Sequence, residues 1–335
     1  MILVTGGTGL LGSHLLLILV EAGHSVRAIH RKKSDLIRVE KVFGYYRKDG
    51  TELFNSIAWI VADINDIPAL EIAFKNITHV YHAAALISFD PGDYKKLQKI
   101  NAEGTANIVN LCIANNVQKL CYASTIGAIG RSIDGSTANE ETPWTPLEAN
   151  VYGLSKHAAE IEVWRGSQEG LPVVMVNPGV IVGPGFWDSG SGALFTTARK
   201  TYGFYPPGGT GFISVHDVVA MMIELMESPI KNERYIAVAE NWTYQKILTE
   251  ITQELGIKAP TKELKFWQLE IGRWLDGLKN LFLKSGRSIT KSHIRSLKNR
   301  PIFDNQKIKD ELGFEFRSVK NEIRFCCKKF REENP

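Results

Sequence analysis

The sequence predicts an α/β protein: a doubly wound parallel sheet with a smaller, mostly helical C-terminal lobe. Three observations carry that prediction. The chain opens Met-Ile-Leu-Val-Thr-Gly-Gly-Thr-Gly-Leu-Leu-Gly, an apolar strand running into a glycine turn and then an apolar helix. Short apolar strands then alternate with helical stretches to about residue 180, as in a parallel sheet covered on both faces. Finally, the chemically distinctive residues fall at the C-terminal strand ends, where such sheets bind ligands. They are the glycine turn, His30-Arg31, Asp63, the alanines 83–85, Ser124-Thr125 and Asn177-Pro178.

Taken in order, Ile2, Leu3 and Val4 read as a buried strand. Gly6 permits a tight bend, Gly9 removes a side chain that would hold a pyrophosphate off the backbone N–H groups, and Gly12 allows close helix packing. A helix over 9–22 ends at Gly23, and its N-terminus offers unpaired donors and partial positive charge to a phosphate. A second strand is expected over 25–30, then an irregular polar stretch over 31–55, and a third strand over 57–62 that runs into Asp63. A short helix near 66–75 precedes a fourth strand, 78–82, ending in Ala83, Ala84 and Ala85. Side chains that small suit either a flat ligand or a closely packed helix. One long helix over 92–115 should carry Asn101, followed by a strand over 119–123, a helix over 150–168 and a strand over 173–176.

Beyond residue 180 the pattern changes. Glycine and aromatic residues crowd 183–212, helices are expected over 215–227 and 243–255, and a strand over 235–238 lies between them. Thr243 should cap the second of these helices and Gly256 end it. Asp217 is expected to cap the first. The remainder reads as helical, broken near Pro301. A stretch over 265–284, with Phe266, Trp267, leucines and lysines, is amphipathic and suits either packing over the lobe or weak contact with a membrane surface.

Composition bounds the function. With 335 residues, 44% hydrophobic and 23% charged, the chain can bury one large core plus a smaller lobe. A net charge of +4, concentrated in 31–33 and 279–300, is too sparse for a nucleic-acid surface. Cys112, Cys121, Cys326 and Cys327 have no metal or redox spacing, so no metal is expected and a reducing compartment fits. The apolar run 10–20 is too short to span a bilayer, contains Gly12 and His14, and follows no basic residues. A cytoplasmic protein is therefore expected.

The chemistry centres on Tyr152-Gly-Leu-Ser-Lys156. At i and i+4 the phenol and ammonium share a helix face. An ammonium about 4 Å away, at an effective dielectric near 20, is worth about 4 kcal/mol, or roughly three pKa units. That would bring a phenol into the range useful for general acid/base work. A hydroxyl at the strand end Tyr122-Ala-Ser-Thr could bind a substrate carbonyl and steady its developing charge.

Together these motifs resemble the extended branch of the short-chain dehydrogenase/reductase superfamily, over nearly the whole chain. Thr5-Gly-Gly-Thr-Gly-Leu-Leu-Gly12 matches its T-G-x-x-G-x-x-G turn, Tyr152 and Lys156 its catalytic pair, and Asn101 its helix asparagine. The resemblance implies a Rossmann fold over 1–180 that also receives 211–240, with 181–210 and 241–335 forming the substrate lobe. It implies Tyr152 as general acid/base, Lys156 as the group that lowers its pKa and holds the nicotinamide ribose, and Thr125 as the carbonyl-binding hydroxyl, with Ser124 the alternate. Gly6, Thr8, Gly9, Leu10, Leu11 and Gly12 would cradle the pyrophosphate. Asp63 and Ile64 would meet the adenine, Ala83, Ala84 and Ala85 the ribose and phosphates, and Pro178 and Val180 the nicotinamide. For Asp63 a strand-end cap is an equal reading. Relatives often pair through two long helices, here 92–115 and 150–168, so a homodimer is implied.

Cofactor preference can be read directly. NAD sites place a carboxylate about 20 residues past the glycines, whereas NADP sites use arginine. This strand ends His30-Arg31-Lys32-Lys33 with no acid before Asp35. Arg31 can grip a 2′-phosphate that a carboxylate would repel, so NADP is expected over NAD. Arg27-Ala-Ile-His-Arg31 resembles the dihydroflavonol reductase and 3β-hydroxysteroid dehydrogenase side of the branch. The stretch Gly208-Gly-Thr-Gly-Phe212 lacks the cation that sugar-nucleotide enzymes commonly carry there. The expected activity is NADP-dependent hydride transfer to or from a small, apolar carbonyl or alcohol. The alternatives are a nucleotide-sugar epimerase or dehydratase with recycled cofactor, and a non-catalytic NADP-binding regulator.

Overall fold

The computed structural model describes residues 1–130, 137–146, 149–200, 203–271, 294, 297 and 299–334. Seven strands form the main sheet: β1 (Ile2–Thr5), β2 (Val26–His30), β3 (Ala58–Val61), β4 (His79–His82), β5 (Lys119–Ala123), β6 (Val173–Pro178) and, after three others, β10 (Glu233–Ala237). Their order is β10-β6-β5-β4-β1-β2-β3, and every neighbouring pair is parallel. The chain runs outward from β1 through β2 to β3, then returns to lay β4 on the other side of β1. Strand order reverses there, opening a crevice above the carboxyl ends of β1 and β4.

Alternate residues of each strand feed opposite faces. Val4, Val174 and Val176 pack with the helices Leu10–Glu21 and Val215–Glu227, whose Leu15, Leu16, Met221 and Met222 are fully buried. Leu3, Val173 and Met175 point the other way, into a core shared with Val109, Cys112, Ala159 and Val163 of the helices Gly104–Ala114 and Val151–Gln168. The strands are apolar on both faces because both faces are covered.

A second sheet orders β11 (Glu240–Thr243), β9 (Gly209–Ser214) and β7 (Val180–Val182), and a two-stranded ladder pairs β12 (Lys262–Glu263) with β8 (Phe204–Tyr205). With the helices Ala193–Arg199, Tyr244–Glu254 and Val319–Glu333 they enclose a third core of Trp187, Phe195, Phe212, Trp242, Ile251 and Phe330. Most of the aromatic residues in 183–212 are therefore core. Phe204 is exposed, and Tyr202 lies outside the described residues.

Several expectations are corrected. The stretch 31–55 holds two helices, Leu36–Tyr46 and Gly50–Asn55. Asp35 caps the first by accepting from Arg38 N, and Val39, Val42 and Phe43 give it a buried stripe. The helix expected over 92–115 is broken into a 3₁₀ turn, Pro91–Asp93, a single turn, Tyr94–Leu97, a π-helical stretch, Gln98–Glu103, and Gly104–Ala114. Ser214, not Asp217, caps the helix Val215–Glu227, accepting from His216 N. Asp217 instead accepts from Arg317 N at 2.9 Å and pairs with its guanidinium.

Thr243 caps its helix as expected, and Gly256 adopts a positive φ. All four cysteines are buried and free. No helix among the described residues is long and apolar enough to cross a membrane. Of 265–284, residues 265–271 are described: Leu269 is buried while Phe266, Trp267 and Ile271 are exposed, and the rest lies outside the described residues.

Candidate active site

The glycine turn is built as its residue types require. Gly6 has φ +73°, and a Cβ there would meet the Ala83–Ala84 backbone at 2.5 Å. The small residues at 83 and 84 thus sit against the turn itself; Ala85 is exposed. A Cβ on Gly12 would lie 2.1 Å from Gly6 O, so the helix packs directly on the turn. Gly9 differs: its backbone is extended, and a Cβ would make only ordinary contact, 3.5 Å from Gly6 O. No described residue requires glycine there, whereas a diphosphate approaching the backbone would. No side chain caps the helix Leu10–Glu21, leaving the N–H groups of Leu10 and Leu11, beside Thr8, for an anion. These residues fit a dinucleotide.

Around that turn, Arg31 is exposed at the end of β2, its backbone N–H held by Ser34 Oγ. Asp35 accepts from Arg38 N as its helix cap and pairs with the Arg38 guanidinium at 3.7 Å. Asp63 accepts from Asn65 N at 2.9 Å in a local turn, as a strand-end cap would, and the buried Ile64 packs against Gly104. Pro178 ends β6 and Val180 begins β7.

Asn150 caps the helix Val151–Gln168 by accepting from Gly153 N. Gly153 lies against Gly127, where a Cβ would meet the carbonyl oxygen at 2.8 Å, so the turn after Thr125 is pressed onto the helix turn bearing Tyr152. Thr125 Oγ1 accepts from Gly127 N at 3.2 Å, and its own proton has no acceptor among the described residues. Ser124, by contrast, donates to the buried carboxylate of Glu160. Of the two hydroxyls, Ser124 is engaged by Glu160, while Thr125 Oγ1 is engaged only as an acceptor among the described residues.

Tyr152 is half-buried, its ring edge-on to Phe89 at 6.0 Å between centroids. Burial pushes its phenol up. The Lys156 ammonium does not counter this, because it donates to the Ala123 carbonyl at 2.7 Å and lies 4.2 Å above the Tyr122 ring. The pKa lowering expected from the i, i+4 spacing is therefore absent: the ammonium has found a strand-end carbonyl, and desolvation rules the phenol. Lys156 is itself pushed down to about 7 by burial, with the Glu160 charge pulling the other way. Asn101, on the π-helical stretch, is buried and grips the backbone of Leu86 from both sides while donating to Ser155 Oγ.

Sequence reading missed the polar groups behind this surface. Glu160 accepts from Ser124, Asn177 and Arg234, joining the carboxyl ends of β5 and β6 and the start of β10 to the helix. Its spacing four residues past Lys156 and eight past Tyr152, on one helix face, was the available signal. His82 bridges the hydroxyls of Thr5 and Thr105, and burial pushes it down to about 3.

Residues 2–238 match the NAD dependent epimerase/dehydratase family. The chain belongs to it. This epimerase/dehydratase family member is an NAD(P)-dependent enzyme of the extended short-chain dehydrogenase/reductase kind. It is 30% identical over 268 residues to sterol demethylase protein B of Methylococcus capsulatus, spanning 77% of this chain and 75% of that protein. It is 28% identical over 330 residues to a putative dihydroflavonol 4-reductase of Synechocystis, spanning 96% and 91%. Among solved structures, that of gox2253 superposes with a TM-score of 0.82 at 28% identity, covering 99% of this chain and 98% of the other.

Proposed function

We propose that this enzyme is an NADP-dependent reductase of a small apolar aldehyde or ketone, or the corresponding dehydrogenase in reverse. One observation carries the reading: Thr125 with a free hydroxyl proton is pressed by the Gly127–Gly153 contact against the helix turn that bears a protonated Tyr152. When bound, NADPH supplies the hydride that reduces the carbonyl carbon. Thr125 donates a hydrogen bond to the carbonyl oxygen and holds its developing charge. Tyr152, kept protonated by burial, gives its phenolic proton to that oxygen. Lys156 lies beneath, where its ammonium can meet a ribose hydroxyl in exchange for Ala123 O. Phe89, itself exposed, offers an apolar ring beside Tyr152.

NADP is supported by the exposed Arg31 and the engaged Asp35. The reductase reading is supported by the relative named as a dihydroflavonol 4-reductase. A homodimer through the helical stretch 92–115 and the helix Val151–Gln168 is supported by the exposed Tyr94 and Ile161.

The test is NADPH oxidation by purified protein against a panel of apolar aldehydes and ketones. Turnover is expected, and Tyr152→Phe should lower kcat by on the order of 10²–10⁴-fold with NADPH affinity nearly unchanged. Cofactor retained through purification with no net NADPH consumption would move the enzyme to epimerase or dehydratase chemistry instead.

A further inference from the structure

A line of hydrogen bonds runs from the glycine turn to the turn bearing Tyr152, and its direction is determined at every step. Ala84 N donates to Thr5 Oγ1 at 3.2 Å, and Thr5 Oγ1 lies 2.6 Å from His82 Nδ1. His82 Nε2 lies 2.9 Å from Thr105 Oγ1, which donates to the Asn101 carbonyl at 2.5 Å. Since the Thr105 proton is spent on Asn101, Nε2 must carry the imidazole proton and donate. Nδ1 must then accept from Thr5. The Asn101 amide continues the line, donating to Ser155 Oγ at 2.9 Å, and Ser155 Oγ donates to the Tyr152 carbonyl at 2.8 Å. Thr5, His82, Thr105, Asn101 and Ser155 are each at most 1% exposed.

An apolar trio at 5, 82 and 105 would fill the same space without desolvating three polar side chains. What a fully satisfied polar line adds is a single allowed geometry for the elements it joins. It joins β1 at the glycine turn, the strand end of β4, the π-helical stretch that holds Asn101, and the helix Val151–Gln168 through Ser155. We propose that His82 is a positioning residue, its neutral imidazole tying the phosphate-binding turn to the helix turn that carries Tyr152. This rests on the reductase reading above. Cofactor seated on the glycine turn is thereby held in register with the proton donor, although His82 touches neither reacting group.

Thr5 and Thr105 lie on opposite sides of the imidazole, so any coupling between them passes through His82. The test is a double-mutant cycle of Thr5→Val and Thr105→Val, both nearly isosteric, with Thr105→Ser as the conservative rescue. Folding of each is checked by thermal melting, NADPH affinity by fluorescence, and kcat at saturating NADPH with the best panel carbonyl. Thr105→Val should bind NADPH within about twofold of wild type and lose about tenfold in kcat, and Thr105→Ser should recover most of it. The double variant should lose no more than the worse single one, because either change cuts the same line. Additive losses, or an unchanged kcat in folded Thr105→Val, overturn the proposal. If Thr105→Val does not fold, His82→Asn, which keeps an atom near the Nδ1 position and none at Nε2, cuts the same link. If wild type neither binds NADPH nor turns over any carbonyl, the reductase reading fails, and amide hydrogen exchange over 151–156 still decides the line. Exchange there should quicken in Thr105→Val, and equal rates overturn the proposal.

Discussion

Arg31 and His14 show how much one side chain decides. Arg31 is exposed just past the end of β2, and the nearest downstream carboxylate is occupied in a cap. Arg31→Asp should therefore reverse the ratio of NADP to NAD affinity, measured by fluorescence titration; an unchanged ratio would remove Arg31 from cofactor selection. His14 is buried, donating from Nδ1 to the Leu10 carbonyl at 2.8 Å and accepting at Nε2 from Tyr46 at 3.0 Å. Burial, helped by the nearby His216, pushes it down to about 3 from an ordinary 6.5. The unfolded chain takes up a proton below pH 6.5 that the native imidazole refuses. Its contribution is thus complete above that pH and is lost as pH falls toward 3. Urea unfolding of wild type and His14→Gln between pH 6 and 4 should differ in slope by about 1.4 kcal/mol per pH unit, wild type being the steeper.

At the scale of the element, the glycine turn separates what folding requires from what the ligand requires. Gly12→Ala forces a Cβ to within 2.1 Å of backbone oxygen, so it should destabilise by about 1–3 kcal/mol in denaturant titrations. Gly9→Ala meets only ordinary contact and should fold with nearly wild-type stability, yet bind NADPH at least about tenfold more weakly. Equal effects of both on stability would mean that Gly9 also serves packing. The helix ends tell a related story. Asn150, Asp35 and Thr243 cap as their types predict, whereas Asp217 was claimed by Arg317 across one hundred residues of chain. Capping is legible where competition is local.

Across the whole molecule, the C-terminal helix Val319–Glu333 completes the lobe. Phe330, 2% exposed, stands 5.2 Å from the Trp187 ring and 6.2 Å from Phe195. Glu333 accepts from Trp187 Nε1 at 3.0 Å and pairs with Lys41 at 2.8 Å, linking the helix to the lobe and to the main sheet's flanking helix Leu36–Tyr46. Phe330→Ala should cost about 3–5 kcal/mol, read as a lowered denaturant midpoint, and a loss below about 1 kcal/mol would mean that the lobe closes without it.

The sequence alone pointed to the parallel sheet, the glycine turn after its first strand, and the placing of Tyr152 and Lys156 on one helix face. These depend on local periodicity, on glycine's missing Cβ and on spacing along one helix, all of which a short stretch of chain encodes. Only the tertiary structure decided that Ser124 serves Glu160 while Thr125 stays free, that Lys156 rests on the Ala123 carbonyl, and that the helix of Asn101 passes through a π-helical stretch. Those outcomes are competitions among buried donors and acceptors brought together from distant strands, and a buried polar group takes whichever partner the packing sets beside it.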